Sequence, residues 1–516
     1  MRIRVAAIVA ALALGAAATA QDGGQDGGQG AGPVLTKQYE DGGVYEGTFR
    51  DGLQHGTGTY RLPDGYEYTG DWADGEIEGQ GTARFADGSV YEGAFAAGRP
   101  EGQGRITYPD GSTFEGEWRA GAMTGQGTAR YADGTTYAGQ FRDGKPHGRG
   151  RMEAPGGYSY EGDWTMGART GTGRIAYPDG SAYEGGVAGG LREGEGALVL
   201  EGGTRYEGTW AAGELGGEGR VTQPDGTAYA GALAGGKREG RGRIEYPNGD
   251  VYEGDFRDDR REGQGRFTGA DGFSYEGAWA GGRIEGKGRA TYPGGATYAG
   301  DFADGLAEGR GRIEYPDGSA YEGEWIAGVI EGTGRAEYVG GAVYEGQFQN
   351  ARSHGQGRLT LPSGYAYEGG WADGLREGEG RASYPGGASY EGGFARGERE
   401  GTGRMEGPGG FSYEGAWVAG RMEGRGVATY PGGDVYEGAF ADGVREGEGV
   451  LRRAGGVEEA GTWRSGVLAS PAAGSPASPS AGPAPEAAAL PAGAPALPAE
   501  EGPAPEAQTG PAPVTD

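Results

Sequence analysis

Cysteine is absent from this chain of 516 residues. That absence excludes disulfides, thiol nucleophiles, thiolate metal ligands and lipid attachment through a cysteine. Basic residues are scarce relative to acidic ones, with 46 Lys and Arg against 75 Asp and Glu and a formal net charge of -29. A surface with this balance repels nucleic acid and anionic lipid. We therefore expect no nucleic-acid partner, and net charge disfavours membrane contact.

Long apolar runs are also missing, apart from one at the N-terminus. Arg2 and Arg4 precede an apolar stretch of 14 residues from Val5 to Ala18, and Ala18-Thr19-Ala20 fits a small-residue cleavage site. A membrane span needs about 20 residues. We predict a cleaved signal peptide at residues 1–20, with an uncleaved anchor as the alternative, and hence an exported bacterial protein that is periplasmic or extracellular.

Two further segments lack the composition of a folded core. Residues 21–38 form a polar leader, and residues 467–516 contain no lysine or arginine but 12 of the 27 prolines. Segments of this kind cannot bury enough apolar surface to offset their ordering entropy. We predict a flexible leader and a disordered tail, which is either passive or a docking arm.

What the chain does contain is a strict period. A tyrosine or phenylalanine recurs every 23 residues from Tyr45 to Tyr436, eighteen times, without an insertion or deletion. If that aromatic is position 0, glycine stands at +2, +11 and +13 of all eighteen repeats, and the nine tryptophans all stand at +4. Repeats of 20 to 50 residues predict a stacked array rather than a globule.

Each repeat is expected to form two short strands. Positions 0, +2 and +4 share one face because side chains alternate along a strand. The glycine at +20 closes a three-residue connection such as Pro109-Asp110-Gly111. Pairing +17 with +21 across it places arginines opposite glutamates on the other face, so that Arg105 faces Glu115. The predicted sheet is antiparallel, with one aromatic and one charged face.

The pattern Y-E-G-x-[FW]-x-x-G-x-x-x-G-x-G, seen at Tyr45 to Gly58 and at Tyr321 to Gly334, resembles the MORN (membrane occupation and recognition nexus) repeat family. The resemblance covers residues 39–466. It implies an all-β fold, an elongated single antiparallel meandering sheet of tandem β-hairpins. Strand spacing and twist predict that this sheet is rod-like and twisted, and the composition of the termini predicts that they are disordered. It also implies a scaffold or partner-binding role.

Four residues depart from the repeat pattern. Val187 and Leu233 replace the +4 aromatic, while Asp259 and Ala351 replace the glycine at +7. We expect the array to bend or fray at these positions.

A long row of aromatic side chains on one face predicts a concave groove that binds a protein partner. The alternative is that packing within the curled sheet consumes this face. A second hypothesis is contact with a wall polymer or glycan, and less so lipid. The candidate groove residues are Tyr68, Trp72, Phe114, Trp118, Tyr160, Trp164, Tyr206, Trp210, Tyr275, Trp279, Tyr321, Trp325, Tyr367, Trp371, Tyr413 and Trp417.

Candidate catalytic residues cannot be singled out. His55, His147 and His354 all occupy position +10, and the first two are four repeats apart. At a strand spacing of about 4.8 Å, that separation is roughly 40 Å. The same glutamate recurs in nearly every repeat, whereas a catalytic centre is one asymmetric site. We expect no enzyme activity, no cofactor and no specific metal site.

Overall fold

The computed structural model describes residues 33–472. The predicted signal peptide, residues 21–32 of the leader and residues 473–516 of the tail lie outside the described residues. The described part contains 39 β-strands and one short 3-10 turn at Pro408–Gly410. The chain divides into two compact units, Met1–Pro247 and Asn248–Asp516. The described residues of both units are all-β and pair antiparallel, which confirms the predicted fold class.

The first unit is an antiparallel meander in which each strand pairs with the next one along the chain. Its strands, β1 to β19 in chain order, are Leu35–Gln38, Val44–Arg50, Leu53–Arg61, Glu67–Ala73, Glu76–Arg84, Val90–Ala96, Arg99–Thr107, Thr113–Arg119, Ala122–Arg130, Thr136–Arg142, Lys145–Glu153, Ser159–Thr165, Ala168–Ala176, Ala182–Ala188, Leu191–Val199, Arg205–Ala211, Glu214–Thr222, Ala228–Ala234 and Lys237–Glu245.

The second unit repeats this meander. Its strands, β20 to β39, are Val251–Arg257, Arg260–Thr268, Ser274–Ala280, Arg283–Thr291, Thr297–Ala303, Leu306–Glu314, Ala320–Ile326, Val329–Glu337, Val343–Gln349, Arg352–Thr360, Ala366–Ala372, Leu375–Ser383, Ser389–Ala395, Glu398–Glu406, Ser412–Val418, Arg421–Thr429, Val435–Ala441, Val444–Arg452, Glu458–Arg464 and Val467–Pro471.

One repeat is one hairpin of a seven-residue and a nine-residue strand, such as β30 and β31. The two strands are joined by Asp373 and Gly374, whose φ angles are 48° and 84°. Two successive positive φ values define the type I′ turn, whose twist matches that of a hairpin. We call the side of the sheet formed by these two-residue turns the turn edge.

The three-residue connection between repeats has the predicted register. The Tyr108 N–H donates to the Ser112 carbonyl at 2.9 Å, which is the expected pairing of +17 with +21. Gly111 has a φ of 80°, so the glycine at +20 supplies a left-handed backbone. Arg105 stands opposite Glu115, as predicted.

The expected fraying at the four departures from the pattern is wrong. Asp259 and Ala351 adopt φ angles of 68° and 62° and keep the two-residue turn that glycine forms elsewhere. The Ala351 N–H still donates to the Ile330 carbonyl of the preceding repeat at 3.0 Å. Val187 and Leu233 are each 3% exposed and lie within paired strands. A two-residue turn tolerates a left-handed non-glycine residue when both flanking strands hold it in place.

Both ends of the array extend beyond the predicted boundaries. Strand β1 lies inside the predicted leader, and strand β39 lies inside the range predicted for the tail. At the C-terminal end, Val467 pairs with Arg464 and covers the outer edge of β38. Leu468 packs toward Gly461, where an added Cβ would stand 2.9 Å from Leu468 Cδ1. The closing strand thereby covers the final buried ring, Trp463.

Candidate binding face

The tyrosine at position 0 lies over two glycines of its own hairpin. A Cβ added to Gly369 would stand 2.5 Å from Gly380 Cα and 2.7 Å from the Tyr367 hydroxyl oxygen. That hydroxyl donates to the Gly370 carbonyl at 2.9 Å, and the side chain is fully buried. Burial raises the pKa of this phenol. The glycines at +2 and +13 therefore form the floor of a ring slot.

The Trp or Phe at +4 joins successive slots. Trp371 stands edge-on to Tyr367 of its own repeat and to Tyr344 of the preceding repeat, with ring centroids 5.3 Å and 5.1 Å apart. Its indole N–H donates to the Gly357 carbonyl at 3.1 Å. Edge-on ring pairs contribute about 0.5–1.5 kcal/mol each beyond the burial of their area. We call this continuous row of rings the ring ladder.

The ring ladder runs without a break through the second unit, from Tyr252 to Trp463. In the first unit, Leu233 stands in place of a ring. An added Cβ on Gly219 would meet Leu233 Cδ1 at 2.6 Å, so leucine occupies the slot that Tyr206 would fill. Tyr206 is half-buried instead.

The sixteen candidate groove residues are mostly core residues. Fifteen of them are at most 6% exposed, and Tyr206 is the exception. In each unit the structure packs these side chains against the sheet, which is the alternative left open in the sequence analysis. Because these rings are buried, a binding partner would contact the exposed residues around them rather than the rings themselves. The signal for this packing was present in the sequence, because glycines at both +2 and +13 leave room for a ring against the sheet itself.

Sequence reasoning missed a second row of side chains on this face, at position +9. Seven repeats have arginine there, and the other repeats have Ile, Met, Leu, Pro, Ala, Gln or Ser. In the second unit Arg376 and Arg399 are each 6% exposed. The guanidinium carbon of Arg399 lies 4.4 Å from the ring centroid of Trp417. Cations placed over an aromatic face are attracted to it. Arginine that recurs at a position with mostly apolar residues in the other repeats was the available signal.

Arg376 joins the two edges of the sheet across the ring ladder. One guanidinium nitrogen donates to the hydroxyl of Tyr365, which lies beside a three-residue connection. Another donates at 2.5 Å to the carbonyl of Gly397, which lies at the turn edge of the next repeat. Arg399 repeats the second contact with the Gly420 carbonyl at 2.7 Å. These bridges tie the two edges of the sheet together in the repeats that have arginine at +9. Tyr321 and Tyr413 are buried as well, although their repeats have isoleucine and methionine at this position.

Neither of these arginines has a carboxylate partner in residues 33–472. Their hydrogen bonds go to carbonyls, to a phenol and to the sulfur of Met405. Burial lowers the pKa of Arg399, because desolvation penalises the charged form. Arg376 Nε and the Tyr384 hydroxyl are buried without any hydrogen-bond partner. This part of the aromatic face therefore carries positive charge without neutralisation, in a chain whose net charge is -29.

The opposite face is charged and exposed. Arg312 and Glu322 stand opposite each other and approach to 3.4 Å, and Arg335 and Glu345 to 3.0 Å. Exposed pairs of this kind contribute only about 0–1 kcal/mol. The face serves solubility more than stability.

The histidines take the place that glutamate has in other repeats. The Glu377 carboxylate accepts the N–H of Arg396 in the next two-residue turn at 2.9 Å. His147 Nδ1 accepts the N–H of Met166 at 3.4 Å in the equivalent position. In these repeats position +10 ties one turn to the next, whereas His354 Nδ1 is buried without a hydrogen-bond partner. Across residues 33–472 there is no group of three or more His, Asp or Glu placed to hold a metal ion, and no helix long and apolar enough to cross a membrane.

Comparison with known proteins gives matches to the family described as MORN repeat. The matched segments are residues 45–65, 68–90, 91–113, 114–136, 137–157, 160–182, 183–205, 206–228, 229–251, 252–273, 275–297, 298–320, 321–343, 344–364, 367–389, 390–411, 413–435 and 436–457.

Similarity to individual proteins is limited. The chain is 43% identical over 54 residues to Alsin from Rattus norvegicus, which is 10% of this chain and 3% of the length of that relative. It resembles the TCP10 domain of Danio rerio CPAP in complex with a STIL peptide, at 16% identity and a TM-score of 0.20, over 56% of this chain and 97% of that one. The Drosophila melanogaster SAS-4 TCP domain, in complex with a proline-rich motif of Ana2, gives 15% identity and a TM-score of 0.19 over 41% and 96%.

Proposed function

The chain belongs to the MORN repeat family, and from that premise we propose that it is an exported, non-enzymatic scaffold that binds a protein partner along its repeat array. The family supplies the scaffold role. Export rests on the predicted signal peptide at residues 1–20. The absence of enzyme activity rests on the recurrence of the same glutamate in nearly every repeat, because a catalytic centre is one asymmetric site.

One observation supports the position of the partner. Large apolar side chains stand exposed along the turn edge of the second unit, at +5 or +8 of their repeats. They are Ile326, Leu375, Val418, Val444 and Val467, between 42% and 66% exposed. Single exposed apolar residues are ordinary, whereas a row at one edge is typical of a protein contact. The partner therefore lies along this edge, beside the ring ladder rather than on its rings.

A wall polymer or glycan receives less support. That hypothesis depended on sugar rings stacking on open Tyr and Trp faces. Trp371 and Trp417, two of the candidates, are 5% and 1% exposed. Stacking needs an accessible ring face, so the protein partner is the better proposal.

A capture experiment tests the edge. The full chain is immobilised and exposed to the exported proteins of the cells that make it. We expect a partner that binds wild type and is lost from a variant with Leu375→Ser, Val418→Ser and Val444→Ser. The matched control carries Arg381→Gln and Glu391→Gln on the outer face of the same unit, where both residues are exposed. Equal capture by the serine variant would remove the turn edge from the proposal.

Export has its own test. The mature protein recovered from the producing cells should begin at Gln21 and lie outside the cytoplasm. Intact mass and N-terminal sequencing decide this. A chain that retains Met1 to Ala20 and stays in the cytoplasm would contradict the export proposal.

A further inference from the structure

We propose that Arg376, Arg399, Tyr365 and Tyr384 form a binding site for a carboxylate group on the aromatic face of the second unit. This inference rests on the proposed function, since the partner supplies the carboxylate. It names the chemistry by which the partner is recognised next to the apolar turn edge.

The four side chains form one compact cluster. The guanidinium carbon of Arg376 lies 5.8 Å from the ring centroid of Tyr365, and that ring stands 5.4 Å from Tyr384. Burial raises the pKa of Tyr384, and the positive charges of Arg399 and Arg376 oppose part of that rise. Both cations therefore lie near the same phenol, and the cluster holds two positive charges and no negative one.

Two donors in this cluster have nothing to donate to. Arg376 Nε and the Tyr384 hydroxyl have no hydrogen-bond partner, although their side chains are only 6% and 5% exposed. Leaving a buried donor unsatisfied costs free energy that an incoming acceptor returns. A carboxylate has two oxygens that accept such donors and a charge that offsets the buried cations.

The presence of arginine here is not a packing requirement. The same inward position is Ile330 in an earlier repeat and Met422 in a later one, and both are buried at 2% and 5% exposure. A buried cation without a counter-ion is costly compared with such apolar residues. Two arginines in adjacent repeats are therefore better explained by an anion that they bind than by the fold.

Tyr384 provides the route of entry. It lies just after β31 and just before the Pro385-Gly386-Gly387 connection. Because its hydroxyl makes no hydrogen bond, its side chain turns aside without breaking one. The carboxylate then meets Arg376, which donates to Gly397 at the turn edge where Leu375 is exposed. A partner segment that crosses the aromatic face from the turn edge to the edge with the three-residue connections contacts Leu375 and places its carboxylate against Arg376.

The test observes the unpaired donor directly. The full chain, with 15N-labelled arginine, is titrated with sodium acetate against sodium chloride at constant ionic strength. We expect one buried Nε–H resonance to shift saturably with acetate, and its disappearance in Arg376→Lys assigns it. The Arg445 resonance is the internal control, because the two repeats on either side of it have Met422 and Leu468 at this position.

The Tyr384→Phe variant should keep the fold intact, since it removes only one hydroxyl oxygen that has no hydrogen-bond partner. A loss of acetate binding in this variant therefore reports on the site rather than on folding. Acetate affinity should fall about fivefold in this variant, the effect of losing one hydrogen bond. Absence of a saturable shift, an equal shift with chloride, or an unchanged affinity in Tyr384→Phe would overturn the site. The titration contains no partner protein, so its result is independent of the capture experiment.

Discussion

Replacing Gly369 by alanine tests whether the ring slots hold the array together. The added Cβ would stand 2.5 Å from Gly380 Cα, 2.6 Å from the Glu379 carbonyl oxygen and 2.7 Å from the Tyr367 hydroxyl. The first two atoms are backbone of the neighbouring strand and cannot rotate away as a side chain does. Either β31 must move away from β30, or the Tyr367 ring must leave its slot.

Two contributions set the size of the effect. Overpacking of a close contact costs about 1–3 kcal/mol. Displacing the ring also breaks the 2.9 Å hydrogen bond from Tyr367 to Gly370, at about 1 kcal/mol. The sum is about 2–4 kcal/mol of local stability. Because each repeat contacts mainly its neighbours, this loss should remain near the substitution.

Hydrogen exchange measured by mass spectrometry reads this local loss. Each 1.4 kcal/mol of lost local stability raises the exchange rate tenfold. Amide hydrogens in peptides from β30, β31 and the adjoining strands should therefore exchange about 30- to 800-fold faster. Peptides from β20 to β22 should not change. The matched control is Gly432→Ala, because an added Cβ at Gly432 has nothing within 4 Å. Unchanged protection in Gly369→Ala, or an equal rise throughout the second unit, would refute the slot argument.

Three further predictions follow from the same packing. Trp417→Ala should lower the local free energy of unfolding by about 3–5 kcal/mol, because the ring is 1% exposed and its N–H donates to the Gly403 carbonyl. Amide hydrogens in the repeats of Tyr390 and Tyr413 should then exchange faster. Burial raises the pKa of Tyr413 and Tyr436 from 10.0 to about 12, so their stabilising contribution is complete below about pH 10 and is lost as pH rises toward 12; a denaturant midpoint that stays constant from pH 8 to 12 would contradict this. A chain that ends at Ala472 should unfold thermally like the full chain, whereas one that ends at Gly466 lacks β39 and should expose the final hairpin to exchange; identical melting and exchange of the two truncations would show that β39 adds nothing.

The fold could be predicted from the sequence because the residues that determine each strand and turn recur at the same positions in eighteen repeats. Glycine at +20 required a left-handed backbone, and Gly111 has one. The opposition of Arg105 and Glu115 followed from that turn and is observed. The limits of the array could not be predicted, because Val467 and Leu468 belong by composition to the proline-rich segment. Their strand forms because the outer edge of β38 has backbone N–H and C=O groups that need partners. Amino-acid composition does not reveal such a neighbouring edge.

The binding face could be predicted only in part, and the reason lies in what period-two alternation determines. Alternation places Tyr367 and Trp371 on one face, but it does not say whether that face is open. The glycines beneath the ring decide that, because Gly369 and Gly380 leave room for the Tyr367 ring against the sheet itself. Arg376 could not be predicted from the pattern of one repeat, because its side chain reaches into the next repeat, to the Gly397 carbonyl. Its Nε is buried without an acceptor. An isoleucine or a methionine is buried at this position in other repeats, so the unpaired Nε is the observation on which the proposed carboxylate site rests.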